Sequence, residues 1–191
     1  MQIGRGSALM VAVATAVALG SMGRIGEAIA GFQPTLRVGS PAPKLEVAGW
    51  VKGQPVTQFQ PGRVYVVEFW ATWCGPCRAA MPHLSRIQAQ YGDRVTIIGV
   101  NVWENNPASV VPFVQSMGHQ MAYRVAVDSV PPGFDSTEGA MARSWLTASG
   151  QQGIPAAFIV DGQGRIAWIG SPTQIDQALA QVVASNEAAR H

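Results

Sequence analysis

The sequence predicts one α/β domain, a central mixed sheet flanked by helices, following a short export segment. Three observations carry this reading. Two apolar runs read as strands buried on both faces, helical spacing lies between and after them, and the last third spells out a hairpin followed by a capped helix. The chain has 191 residues, of which 48% are hydrophobic, enough for one substantial core and too few for a second domain to be expected.

The first strand is Val64-Tyr65-Val66-Val67-Glu68-Phe69, apolar except at Glu68. From Pro76 to Tyr91 the apolar residues Ala80, Met81, Leu84, Ile87 and Tyr91 recur at helical spacing, and Gly92 ends the helix. Val95 to Val102 is the second buried strand. Asn106 and Pro107 cap and open a helix towards Met117, and Tyr123 to Val127 reads as a further strand. After the Pro/Gly loop Ser129 to Thr137, Met141, Trp145 and Leu146 mark one face of a helix ending near Gly150. Ala156 to Val160 and Arg165 to Ile169 flank Asp161-Gly162-Gln163-Gly164, the pattern of an antiparallel hairpin. Ser171, Pro172 and Gln174 supply an N-cap, a first-turn proline and a capping-box partner for a last helix with Ile175, Leu179, Val182 and Val183 on its apolar face. Residues 31–62 are rich in Gly and Pro and read as an entry segment with one hairpin.

The formal net charge of +2 is scattered, with no block of Lys or Arg, so neither a nucleic-acid footprint nor a polybasic membrane patch is visible. Residues 1–30 read as a cleaved signal peptide. Arg5 precedes the apolar run Ala8 to Leu19, which falls short of the about 20 residues a membrane span needs, and Ala28-Ile29-Ala30 offers a cleavage site. The expected location is therefore periplasmic or otherwise extracytoplasmic, with a membrane tether if the segment is kept.

The two cysteines stand three residues apart in Trp73-Cys74-Gly75-Pro76-Cys77, between the first strand and the helix. Unpaired N–H groups and the positive end of the helix dipole lower a thiol pKa at that place from about 8.5 towards 7. Cys74 is thus the expected nucleophile, at an exposed helix end, and Cys77, one turn further in, the shielded resolving thiol. A zinc site lacks a second pair of ligands, haem attachment lacks a His after Cys77, and a structural disulfide over so short a loop would stabilise little. Redox chemistry remains, with no cofactor beyond the Cys74–Cys77 disulfide itself.

Glu68-Phe69-Trp70-Ala71-Thr72-Trp73-Cys74-Gly75-Pro76-Cys77 resembles the active-site strand and helix start of thioredoxins. Pro82 matches that family's helix kink, Gly153-Ile154-Pro155 resembles its cis-proline loop, and Gly170 its glycine before the last helix. The entry segment Val38-Gly39-Ser40-Pro41-Ala42-Pro43 and the long stretch from Trp103 to Gly150 look more like the exported TlpA/ResA-type branch. The resemblance implies a thioredoxin-like fold with an N-terminal hairpin extension and a central insertion. It further implies a cis-proline at Pro155, backbone at Ile154 that pairs with substrate, and an apolar docking rim of Trp73, Gly75, Pro76 and Ile154.

Glu68 is the second chemical candidate. A carboxyl in an apolar strand should have a raised pKa, which suits an acid/base for protons at Cys77. The alternative is a Glu at the strand's edge facing water, since periodicity alone does not fix its face. It matches a buried Asp in thioredoxins, but Gly99 stands where thioredoxins offer that acid a Lys.

The leading expectation is a monomeric thiol-disulfide oxidoreductase that reduces protein disulfides and is itself reduced by an upstream thiol donor. The same residues run in reverse would donate disulfides. Two other classes stay open: a copper-handling protein using Cys74, Cys77 and His119, and a peroxidase of the peroxiredoxin kind, whose P-x-x-x-T-x-x-C pattern this chain lacks.

Overall fold

In the computed structural model, which describes residues 33–190, the chain runs β1 (Val47–Lys52), β2 (Val64–Trp70), α1 (Gly75–Tyr91), β3 (Val95–Asn101), α2 (Val110–Met117), β4 (Arg124–Asp128), β5 (Ala156–Val160), β6 (Ile166–Gly170) and α3 (Asp176–Ala188). The signal peptide expected at residues 1–30 lies outside the described residues. One mixed sheet holds the six strands in the order β1-β4-β3-β2-β5-β6. β2, β3 and β4 are parallel, while β1, β5 and β6 each run antiparallel to the strand they join.

Every residue of β2 and β3 is buried, because packed chain covers both faces of the sheet, and this is why the two strands read as unbroken apolar runs. Val64, Val66 and Trp70 face α1, α2 and α3 and pack with Ile97, Met81, Leu84 and Leu179. Tyr65, Val67 and Phe69 face the opposite way, against a π-helical turn at Ala142–Thr147 and the entry segment. On that side the rings of Phe69, Trp145 and Phe158 meet with centroids 5.3 to 6.1 Å apart, mostly edge to face.

Local signals set the helix ends. Gly92 stops α1 with φ of +54°. Asn106 Oδ1 accepts from the Ala108 N–H at 3.3 Å and starts a 3-10 turn that runs into α2. Ser171 likewise caps a 3-10 turn, Pro172–Gln174, so α3 begins one turn later than the capping pattern suggests, with Ile175, Leu179 and Val183 inward.

The expected N-terminal hairpin is not formed. The entry segment contributes the single strand β1, which pairs with β4. After Lys52 the chain meets Gly53, Pro55 and Pro61 and has no second run with the donors of a hairpin partner, whereas β4 offers a free edge. Earlier in the same segment, Gly39 N–H donates to Ile166 O at 2.7 Å and Pro41 bridges to Arg165, against β6. One stretch of chain therefore reaches both sides of the sheet, adding β1 as the edge strand beyond β4 and meeting the start of β6 on the other side. The stretch from Trp103 to Gly150 supplies α2, β4 and the π-helical turn.

That turn is tied to the sheet by Asp128, the buried last residue of β4. Its Oδ1 accepts from Met141 N–H at 2.8 Å and its Oδ2 from Ala142 N–H at 3.0 Å. Burial pushes the Asp128 carboxyl pKa up, against the opposing pull of N–H groups at Met141, Ala142 and Ser129. Gly139 has no room for a side chain, since a Cβ there would strike this carboxylate. Asp128→Ala leaves two buried N–H groups without an acceptor and is expected to cost about 1–3 kcal/mol. Asp128→Asn, which keeps one acceptor, should lose less. Urea unfolding with unchanged slope and a lower midpoint is the measurement; equal stability of the Ala variant would refute the tie.

Candidate active site

At the end of β2 the chain turns through Ala71-Thr72-Trp73, closed by the Cys74 N–H donating to Ala71 O at 3.1 Å. Cys74 is extended, with φ −80° and ψ 98°, and is the N-cap of α1, so that its sulfur accepts from the Cys77 N–H at 3.2 Å. Arg78 N–H then donates to Cys74 O at 3.1 Å as the helix begins. A backbone donor at the head of α1 is thus aimed at Cys74 Sγ, the geometry that stabilises a thiolate. The two cysteines form a disulfide with Cα atoms 5.3 Å apart.

Cys74 is 3% exposed and Cys77 fully buried, so Cys74 lies less open than a helix end alone suggests. Its cover comes from the loop before β5. The Ile154–Pro155 peptide bond is cis, and Ile154 O lies 3.7 Å from Cys74 Sγ. Around the pair, Trp73 is 51% exposed, Gly75 and Pro76 are exposed, and Ile154 and Pro155 are half-buried. All of the sequence-derived rim residues therefore meet at one end of the sheet, where β2 stops and β5 starts.

A second loop, directly after β3, braces this turn. Glu104 Oε2 accepts from the Thr72 N–H at 2.9 Å and from Asn101 Nδ2 at 3.0 Å, and its Oε1 accepts from the Thr72 hydroxyl at 2.8 Å. Trp73 Nε1 donates to Trp103 O at 2.9 Å, and Val102 N–H to Trp70 O at 2.9 Å. Both residues preceding Cys74 are thus held by two adjacent residues of the other loop. Trp103 reaches this position with φ of +52°, a conformation that favours glycine. Burial pushes the Glu104 pKa up, but hydrogen bonds from Thr72, Asn101 and Asn106 outweigh it and hold the carboxyl below its usual range. Sequence reasoning passed over Thr72, Asn101, Trp103 and Glu104. The only hint was a polar pair, Asn101 and Glu104, at the end of an apolar strand.

Glu68 lies fully buried in the middle of β2, opposite Gly99 on β3 and Ala157 on β5, so the solvent-facing alternative is excluded. It shares the face of Val66 and Trp70, towards α1 and Cys77. Neither carboxyl oxygen has a hydrogen-bond partner among the described residues. Burial without compensation pushes its pKa up to about 8. Gly99 gives it no cation.

Other titratable candidates point elsewhere. The Arg78 guanidinium lies over the Phe113 ring, 5.7 Å from its centroid, and His83 Nε2 is 2.9 Å from Asp176 Oδ2, linking α1 to α3. His119 belongs to a surface hollow with Pro82, Ser85 and Arg86, on the flank of α1 and away from Ile154 and the rim. The site drawn for copper with His119 is therefore not assembled. No group of three His, Cys, Asp or Glu side chains able to hold a metal occurs among the described residues.

A carboxyl whose pKa rises on folding favours the folded state fully below its unfolded pKa and loses that contribution as pH climbs towards the folded value. With Glu68 rising from 4.5 to about 8, oxidised protein should lose on the order of 3 kcal/mol between pH 4 and pH 7 through this residue. Glu68→Gln, which carries no charge, should flatten that window in denaturant titrations of the disulfide form. An unchanged pH dependence would mean that Glu68 is already ionised in the folded state.

Comparison with known proteins agrees with this geometry. Residues 37–184 match the family model described as Redoxin. The chain is 33% identical to protein FixW of Rhizobium leguminosarum over 153 residues, spanning 80% of this chain and 68% of that one. It is also 33% identical to the thiol:disulfide interchange protein HelX of Rhodobacter capsulatus, over 70% of this chain and 67% of the relative. A crystal structure of a thiol-disulfide isomerase from Corynebacterium glutamicum superposes with a TM-score of 0.64 at 24% identity, covering 77% of this chain and 96% of that one. Strand order, dithiol, cis-proline and the family match over most of the chain converge on one assignment: this chain belongs to the Redoxin family and has the thioredoxin-like fold.

Proposed function

We propose that this thiol-disulfide oxidoreductase reduces protein disulfides outside the cytoplasm, with Cys74 as nucleophile, Cys77 as resolving thiol and Glu68 as the acid/base serving Cys77. The observation that carries the reading is the dithiol itself, seated at the head of α1 with the Cys77 N–H on Cys74 Sγ and the cis Ile154–Pro155 bond alongside. Glu68, buried on the face towards α1, supports the proton role.

The reaction balances without any group beyond these. The Cys74 thiolate attacks one sulfur of a substrate disulfide, expels the other as a thiolate and leaves a mixed disulfide. Cys77 gives its proton to the Glu68 carboxylate and attacks Cys74 Sγ. The substrate's second thiolate leaves, two electrons have passed to the substrate, and the Cys74–Cys77 disulfide remains. An upstream thiol donor resets it by the reverse path, in which protonated Glu68 returns the proton to Cys77. A pKa near 8 lets one carboxyl serve in both directions close to neutral pH. A substrate segment would lie on Trp73, Gly75, Pro76, Ile154 and Pro155, most of which are open to solvent.

The reducing direction is supported by the likeness to the TlpA/ResA-type branch and the extracytoplasmic site by the apolar N-terminal run. HelX, named as a thiol:disulfide interchange protein, is in keeping with protein substrates. The described residues contain no helix long and apolar enough to cross a membrane, and a monomer needing no added cofactor is the simplest form of this reading.

Cys77→Ser should accumulate mixed disulfides with partners in a periplasmic extract. Cys74→Ser should trap none and lose disulfide-reducing turnover by roughly 100-fold or more. Glu68→Gln should slow resolution by roughly 100-fold and remove the rise of that step with pH. A measured potential close to that of strong oxidants would reverse the direction. Failure to trap any partner, with stoichiometric copper binding by the wild type, would overturn the reading altogether.

A further inference from the structure

Three polar side chains converge over Gly99 without a hydrogen-bond partner. Glu68 and Trp70 are wholly buried, Tyr123 is 5% exposed, and both Glu68 oxygens, Trp70 Nε1 and Tyr123 Oη are unpaired among the described residues. They come from separate places in the chain, two from β2 and one from just ahead of β4, and Gly99 on β3 lies under all of them. The point a Cβ would occupy on Gly99 is 3.2 Å from Trp70 Nε1, 3.3 Å from Glu68 Oε2 and 2.9 Å from Tyr123 Cε2. Two of the unpaired polar atoms, Trp70 Nε1 and Glu68 Oε2, thus come together over this glycine beside the edge of the Tyr123 ring.

We propose that Glu68, Trp70 and Tyr123 enclose a hydration site over Gly99, one water bonded to all three, through which Tyr123 positions the Glu68 carboxyl. This inference deepens the proton role given to Glu68 and rests on it.

A buried water is stable where two to four polar partners surround it, and unpaired buried polar atoms are otherwise costly. The Trp70 indole N–H can only donate, the carboxyl accepts or donates with its protonation, and the phenol does either. One water gives each of the three a partner: it accepts from the Trp70 indole N–H and the Tyr123 hydroxyl and donates to one Glu68 oxygen. The glycine is required. A methyl on residue 99 would fall within 3.3 Å of both polar atoms and 2.9 Å from the Tyr123 ring, crowding the group that the proposed water joins.

The neighbouring elements bring few other charges to this spot. β3 offers Gly99, β5 Ala157, and α1 turns Cys77 inward, while Arg78 lies on Phe113 and His83 on Asp176. Tyr123 and Cys77 are then the titratable groups facing Glu68. Burial, and after it the charge of Glu68, push the Tyr123 pKa well up, so the phenol stays protonated and available as a donor.

The experiment follows Glu68 protonation in the full oxidised chain by isotope-edited infrared or NMR titration. Tyr123→Phe removes a donor that favours the carboxylate and should raise the Glu68 midpoint by about one pH unit. Gly99→Ala, with both rings retained, should shift it the same way by displacing the water. In the wild type, NMR should detect a long-lived water beside the Trp70 indole proton. A purely structural Tyr123 would change stability and leave the midpoint where it was. That result in a folded Tyr123→Phe, or no long-lived water in the wild type, overturns the proposal. Persistence of the pH-dependent resolving step in Glu68→Gln would instead defeat the proton role of Glu68, with the hydration site still standing on the water signal.

Discussion

Burial of β2 on both faces is the constraint from which the rest of the molecule follows. A strand paired with β3 on one side and β5 on the other, and covered above and below, has one exit: its C-terminal end. The residues after Trp70 therefore emerge where α1 must start, and the first helical N–H groups meet Cys74 there. The cis-proline loop enters the same spot because it leads directly into β5, the antiparallel partner of β2. Dithiol, helix terminus and proline wall are consequences of a single pairing rather than three separate arrangements. Glu68 belongs to the same constraint, since the middle of that strand has no exposed side.

The electrostatics of the pair are carried by backbone more than by side chains. Arg78, the nearest cation in sequence, is drawn onto Phe113, and the ionised carboxylate beside the turn is that of Glu104. A negative charge so close works against a thiolate on Cys74, yet Glu104 spends its oxygens on Thr72 and Asn101. Its effect is geometric: it holds the turn so that the Cys77 N–H stays aimed at Cys74 Sγ. Trp103, with its left-handed backbone, completes this brace by offering its carbonyl to the Trp73 indole. Strain at such a position persists only where surrounding structure fixes it, and the loop from Asn101 to Glu104 supplies that fixation.

What could be read from the sequence was local or periodic. β2 and β3 announced themselves by uninterrupted apolar residues, α1 by its spacing and Gly92, and the β5–β6 hairpin by Asp161 and Gly164, whose turn bonds are seen in the structure. The dithiol was legible because its chemistry depends on adjacent residues, and the cis Pro155 through the resemblance that Gly153-Ile154-Pro155 carries. Partnerships between distant segments were not. β1 looked like half of a hairpin because no pattern within residues 47–62 says that its partner lies beyond Trp103. Glu68 could be found but not oriented, since a strand buried on both faces gives no alternation to decide which way a side chain points. Tyr123 and Trp70 drew no notice because aromatic residues in strands are usually core, and only the polar atom at the edge of each ring makes them more than that.

A buried carboxyl with no cation beside it is an expensive choice, and its position argues that the cost has a use. Gln would fit the same space without a charge to desolvate, and an aliphatic side chain would extend the apolar run already present on either side. Neither can exchange a proton. Glu68 is the only fully buried acid of β2 and β3, and it lies on the face that leads to Cys77 rather than on the face of Trp145. Desolvation at that point brings its pKa to about 8, where protonated and ionised forms are both accessible near neutral pH. Cys74 can be activated by backbone alone, but Cys77, fully buried behind it, has no solvent to take its proton. On the proposed reading, the fold gives up stability where the second half of the exchange needs a proton carrier.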